Sequence, residues 1–186
     1  TLCWNTQAHM ECWYAVMGMG AICHTLNPRL TSEQLAWMLG QSEASILIIS
    51  GDLQPLATAI VEQAPGVRKV LLIDQTETDA LDTAGLPSAQ ILEEVLPDGS
   101  PSEAWGEFPE TAPCGLCFTS GTTGAPKGVS YTHRGNFLHT LRQLQADVAG
   151  ITSHDVVMPV VPMFHANAWG IPFSAPATGA KLVFPG

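Results

Sequence analysis

The sequence predicts an α/β fold: a layered, largely parallel, doubly wound sheet with flanking helices. Two continuous apolar runs carry that expectation, Ser-Ile-Leu-Ile-Ile-Ser at residues 45–50 and Arg-Lys-Val-Leu-Leu-Ile at residues 68–73. Each has the length and composition of a strand covered on both faces. The segment between them, 52 to 64, reads as a helix that ends near Pro65 and Gly66. Strand, helix and strand with joins this short make a βαβ unit, whose strands are parallel by the crossover rule.

The remaining elements follow in order. Asn5 or Thr6 caps a helix to about Met19, and Met10, Trp13, Tyr14 and Met17 recur three and four apart as its buried stripe. Residues 21–26 read as a short strand, and Asn27-Pro28 turns the chain. Thr31-Ser-Glu-Gln34 is a capping box for a helix through about Gln41. Residues 88–96 have the character of one helix inside a long acidic connection, 74–113. Thr132 caps a helix to about Ala149, whose 3.6-residue periodicity places Leu141, Leu144 and Val148 inward. Residues 155–161 and 181–184 read as strands.

Composition narrows the function classes. The 186 residues suffice for one sizeable core, and 46% are hydrophobic, so the chain is globular. A net charge of -10 argues against a nucleic-acid partner, because phosphate contacts need clustered Lys and Arg. No basic residue lies between Val70 and Pro126, where ten acidic residues predict a solvated acidic face. No apolar span reaches twenty residues, so no transmembrane segment is expected. Five cysteines, an odd count, fit a reducing compartment. Cys114 and Cys117 have the spacing of half a zinc or redox site, but no second pair follows and strand positions three apart face opposite ways. They read as buried structural thiols. The chain opens without methionine and stops just after a strand, so a piece of a larger protein is expected.

The stretch with chemistry in it is Thr119-Ser120-Gly121-Thr122-Thr123-Gly124-Ala125-Pro126-Lys127-Gly128, between the apolar runs 115–118 and 129–131. Glycines admit close backbone approach to an anion, hydroxyls add donors, and Lys127 adds a mobile positive charge. A Walker A loop needs glycine before its lysine and Ser or Thr after it; Pro126 and Gly128 stand there instead. A flexible surface turn has similar composition, yet exposed linkers seldom run from one buried strand directly into another.

Residues 119–128 resemble the phosphate-binding loop of the adenylate-forming enzymes, the superfamily of acyl-CoA synthetases, luciferases and peptide-synthetase adenylation domains. Residues 129–136 resemble the family's continuation after that loop. Pro162-Met163-Phe164-His165 resembles the family's aromatic-histidine motif, and Ala166-Asn167-Ala168-Trp169-Gly170 its version in medium- and long-chain fatty acyl-CoA synthetases. Residues 11–30 also resemble that branch more than the peptide-synthetase branch. Independently of the resemblance, His165 stands at a strand end, where open α/β sheets bind ligands. Met163, Phe164, Trp169 and Ile171 are expected to line an apolar pocket with one polar group.

The resemblance implies part of the large N-terminal domain, organised as a βαβ-type half (1–73), an acidic connection (74–113) and a loop-and-acyl-pocket region (114–186), with the C-terminal domain absent. It implies an ATP-dependent fatty acid–CoA ligase for medium or long chains. The alternatives are a ligase for a short-chain, aryl or thioether acid, or a noncatalytic nucleotide-binding homologue. Thr119, Ser120, Gly121, Thr122, Thr123, Gly124 and Lys127 would then cradle the β- and γ-phosphates of ATP. Lys127 and His165 would act at the reacting groups, with His165, Phe164 and Trp169 against the acyl substrate and Trp169 gating its tunnel. Magnesium and coenzyme A are the implied co-reactants, although no metal ligand is assigned here. The setting implied is cytoplasmic, with room for a homodimer. The family's downstream glutamate, ribose-binding aspartate and C-terminal lysine lie beyond residue 186, so these residues alone are expected not to complete the reaction.

Overall fold

The computed structural model describes residues 1–75, 83–96, 105–119 and 126–185. Its first elements are α1 (Gln7–Gly18), β1 (Cys23–Thr25), α2 (Ser32–Ser42), β2 (Ile46–Ser50), α3 (Gln54–Val61) and β3 (Lys69–Ile73). There follow β4 (Gln90–Ile91), α4 (Leu92–Val95), β5 (Pro113–Thr119), β6 (Lys127–Thr132) and α5 (His133–Gln143). The last are β7 (Val156–Val157), α6 (Ile171–Thr178) and β8 (Lys181–Leu182). The chain divides into two compact units, one of Thr1–Trp4 with Leu26–Glu103, the other of Asn5–Thr25 with Ala104–Gly186.

The first unit is built on the parallel sheet β2-β3-β4, extended by a parallel bridge between Leu2 and Ile49. The two apolar runs of the sequence become β2 and β3, paired from Ile46 opposite Lys69 to Ser50 opposite Ile73. Leu47, Ile49, Val70, Leu72 and Ile73 are fully buried, as strands covered by helices must be. Thr31 and Gln34 exchange both capping-box hydrogen bonds at the start of α2, and Glu43 in left-handed conformation ends it. The single helix expected at 88–96 is instead a two-residue strand followed by the short α4.

In the second unit β5 is the central strand. It pairs parallel with β1, Cys23 opposite Gly115, and antiparallel with β6, Thr119 opposite Lys127. Thr6, not Asn5, caps α1, and the stripe on that helix buries Trp13 completely against Met17, Cys23, Cys114 and Met163. Two expectations need correction. The helix after Thr132 ends at Gln143, and Leu141 and Val148 are exposed because the buried residue of α5 is Thr140. The strand expected at 155–161 shrinks to β7, whose only partner among the described residues is the two-residue β8, and Val156, Met158 and Val160 stand exposed.

His24 on β1 is buried, with its ring 5.2 Å from that of Phe118. Burial disfavours its cation and lowers its pKa to about 3. An unfolded histidine titrates near 6.5, so from about pH 6.5 down to 3 the unfolded chain binds the extra proton. Stability is therefore fully present above pH 6.5 and falls as the pH drops through that window. Urea midpoints across this range should show the fall, and His24→Gln should flatten it; an unchanged pH slope in that variant would exclude His24 as its source.

Candidate functional site

The hydroxyl- and glycine-rich segment connects the two strands of an antiparallel hairpin. Its two ends face each other: Thr119 and Lys127 are register partners, and the Thr119 hydroxyl donates to the Lys127 carbonyl at 3.4 Å. Ser120, Gly121, Thr122, Thr123 and Gly124 lie outside the described residues. Lys127 is exposed, and among the described residues no ion pair engages its ammonium. An exposed lysine at the end of a hairpin arm is a residue type that meets anions.

Cys114 and Cys117 sit on β5 with separate partners. Asn136 donates to the Cys114 sulfur at 3.3 Å, and that thiol donates to the Tyr131 carbonyl at 3.5 Å. Burial pushes the Cys114 thiol up to about 11, and burial also raises that of Cys117. Neither is poised as a thiolate nucleophile or metal ligand at neutral pH. All five cysteines are buried, and none forms a disulfide.

Cys117 instead joins the two site-like stretches. Its thiol lies 3.1 Å from the Thr25 hydroxyl and donates to the Asn167 Oδ1 at 3.2 Å. Two residues beyond Cys117 β5 ends at Thr119, and two residues before Asn167 stands His165. Sequence positions fifty apart are thus in direct contact.

His165 is exposed in extended backbone conformation, while Met163 and Phe164 before it are buried. What fixes this approach is Asn5, a residue the sequence offered only as a helix cap. Its Nδ2 donates to the carbonyls of Pro159 and Val161, both at 2.9 Å, and its Oδ1 accepts from the Met163 amide at 2.8 Å. One buried amide side chain therefore satisfies three backbone groups just ahead of His165.

After His165 the backbone makes a left-handed turn. Ala166, Asn167, Ala168 and Trp169 have φ of 45°, 52°, 47° and 57°, and Gly170 has φ 77°. A residue with a Cβ costs about 1–2 kcal/mol in this region, so four in succession store strain that the surroundings must hold. Trp169 is 61% exposed, so it lies on the surface of the described structure. Ala166 is exposed, and its substitution by glycine should relieve strain without loss of packing. Thermal unfolding of Ala166→Gly should show a midpoint about 2–4 °C higher, the shift expected for ~1 kcal/mol in a chain of this size. A lower midpoint would mean that the turn is not strained at that residue.

Of the four residues expected around an apolar pocket, Met163 and Phe164 are buried and Trp169 is exposed. A cavity of about 300 Å³ lies elsewhere, walled by Tyr14, Met17, Phe108, His133, Asn136 and Phe173 among others. His133 stacks on Phe108 at 4.2 Å, and burial lowers its pKa. Nothing in the sequence marked residues 105–108 as part of that wall, because the contact is made across the chain. Among the described residues no three His, Cys, Asp or Glu side chains gather to hold a metal ion. No described helix is long and apolar enough to cross a membrane.

The profile of the AMP-binding enzyme family matches residues 1–186. The chain is 42% identical over its whole length to a 3-methylmercaptopropionyl-CoA ligase of Ruegeria lacuscaerulensis and 39% identical to a medium-chain-fatty-acid–CoA ligase of Ectopseudomonas oleovorans. It spans 34% of each of those proteins. A long-chain-fatty-acid-CoA ligase from Archaeoglobus fulgidus superposes with a TM-score of 0.81 and 26% identity, over 98% of this chain and 34% of that one. A red-emitting luciferase from Phrixothrix hirtus shares the fold, with a TM-score of 0.84 at 20% identity, over 98% of this chain and 35% of that one. With the family profile matched from the first residue to the last, the chain belongs to the AMP-binding enzymes.

Proposed function

We propose that the polypeptide to which these residues belong is an AMP-forming acid–CoA ligase acting on a medium- or long-chain fatty acid. The observation that carries this reading is the Cys117–Asn167 hydrogen bond, which ties β5, the strand ending at Thr119, to the turn that follows His165 within one unit. In the first half-reaction a carboxylate oxygen attacks the α-phosphorus of ATP, the bond to the β-phosphate bridging oxygen breaks, and pyrophosphate leaves. In the second, the sulfur of coenzyme A attacks the acyl carbon and the carbon–oxygen bond to AMP breaks, with the thiol proton released.

Thr119, the loop residues 120–124 and Lys127 would neutralise the β- and γ-phosphates as they leave. Lys127 would steady charge and move no proton. His165 would orient the carboxylate, with Phe164 behind it and Trp169 beside the tail. Each methylene buried there would contribute about 0.8 kcal/mol to chain-length discrimination. Magnesium would accompany the triphosphate. A cytoplasmic location and a homodimer belong to the same reading; sedimentation of the purified protein would test the second.

A thioether acid is the second reading, favoured by the 42% identity to the 3-methylmercaptopropionyl-CoA ligase. Carboxylate-dependent ATP–pyrophosphate exchange, across straight-chain acids of two to eighteen carbons and 3-(methylthio)propionate, separates the two. A maximum at medium or long chains supports the fatty-acid reading, and one at the thioether acid replaces it. No exchange with any acid, from protein that still binds ATP, would leave a noncatalytic nucleotide-binding role.

A further inference from the structure

The left-handed turn after His165 is held from several sides. Ala168 is fully buried in the cluster around Trp13 and Met163, and Asn167 accepts the Cys117 thiol. A Cβ on Gly170 would lie 2.7 Å from the His139 ring, so that glycine lets α5 approach. These contacts fix residues 167, 168 and 170. The residue between, Trp169, is exposed, and its indole is not held by burial.

Among the described residues one side chain holds its backbone. Gln143, the last residue of α5, donates from Nε2 to the Trp169 carbonyl at 2.9 Å. The two residues are 26 apart, so the bond is tertiary and not part of a helix end. It fixes the peptide plane between Trp169 and Gly170, and with it the direction in which the indole leaves the backbone. Because Gly170 at φ 77° tolerates rotations that other residues do not, that peptide is the joint of the turn most free to swing when unpinned.

We propose that Gln143 is a positioning residue for the carboxylate substrate, pinning the Trp169 carbonyl so that the indole keeps its direction from the turn that follows His165. This rests on the reading of residues 164–169 as the acyl site. In this proposal Gln143 acts through Trp169, whose carbonyl it holds.

The test compares Gln143→Met, which keeps the side chain's length and loses its donor, with Gln143→Lys, which restores an N–H donor. In pyrophosphate exchange by the intact protein, Gln143→Met should raise KM for the carboxylate about three- to tenfold, the range for one lost hydrogen bond. KM for ATP and kcat should stay within about twofold, and Gln143→Lys should recover most of the loss. A second readout does not require turnover. The fluorescence difference between the protein and its Trp169→Phe variant isolates Trp169, and acrylamide quenching of that difference should change in the Gln143→Met background. An unchanged carboxylate KM with unchanged Trp169 quenching overturns the proposal, as does an equal rise in both KM values. If the unsubstituted protein shows no exchange, the acid–CoA ligase reading fails, and the pinning of Trp169 stands or falls on the quenching alone.

Discussion

Replacing Lys127 with alanine in the intact protein should raise KM for ATP in pyrophosphate exchange by about tenfold to a hundredfold, the loss expected for a hydrogen bond to a charged group. The residue stands at the mouth of the hairpin, exposed and opposite Thr119, with no described ion pair to occupy its ammonium. KM for the carboxylate should hardly move, since the lost charge meets phosphate and not the acyl group. Lys127→Arg should recover part of the loss, because it keeps the charge while changing the shape of the donor. ATP titrations at saturating acid, and acid titrations at saturating ATP, measure the two separately. A rise in both would mean that Lys127 holds the hairpin together and has no particular business with ATP.

The largest effect on stability among side chains near the site is expected at Asn5. Asn5→Ala removes three hydrogen bonds of 2.8–2.9 Å and strands two carbonyls and one amide close to the core. At about 1 kcal/mol for each bond, with more for groups left unsatisfied, the cost should be about 3–5 kcal/mol. That is a large share of the ~5–15 kcal/mol that holds a typical domain folded. Urea unfolding measures it. Activity per folded molecule should fall as well, because the backbone that Asn5 holds runs directly into Phe164 and His165. A loss below about 1 kcal/mol would show that water or another donor readily replaces the side chain.

Where a signal is local, the sequence carried it. The capping box at Thr31 and Gln34, the two apolar strands around the 52–64 helix and the buried stripe of α1 all depend on neighbours within a few residues. The hairpin was half legible: its apolar arms and polar loop are plain, but nothing along the chain says that β6 runs antiparallel to β5. The helix after Thr132 misled, because 3.6-residue periodicity reports an apolar face without reporting what lies against it; here Leu141 and Val148 face outward. Asn5 was out of reach altogether, since its three bonds join residues more than 150 positions apart. The left-handed turn was equally hidden. Ala-Asn-Ala-Trp contains no glycine, and only tertiary contacts with α5, β5 and the core hold such a sequence there.

The hairpin also sets rules for which insertions and deletions the gene can absorb. On paired strands successive side chains alternate between faces, so adding one residue within 128–131 would turn either Lys127 or Tyr131 to the opposite side. Adding one among residues 120–126 leaves both arms in register, since only the span between Thr119 and Lys127 lengthens. Length variation among related sequences should therefore collect between those two residues and be scarce on either arm. A scan of single-residue insertions along 113–132, read as the fraction of soluble folded protein, would map that boundary to the residue.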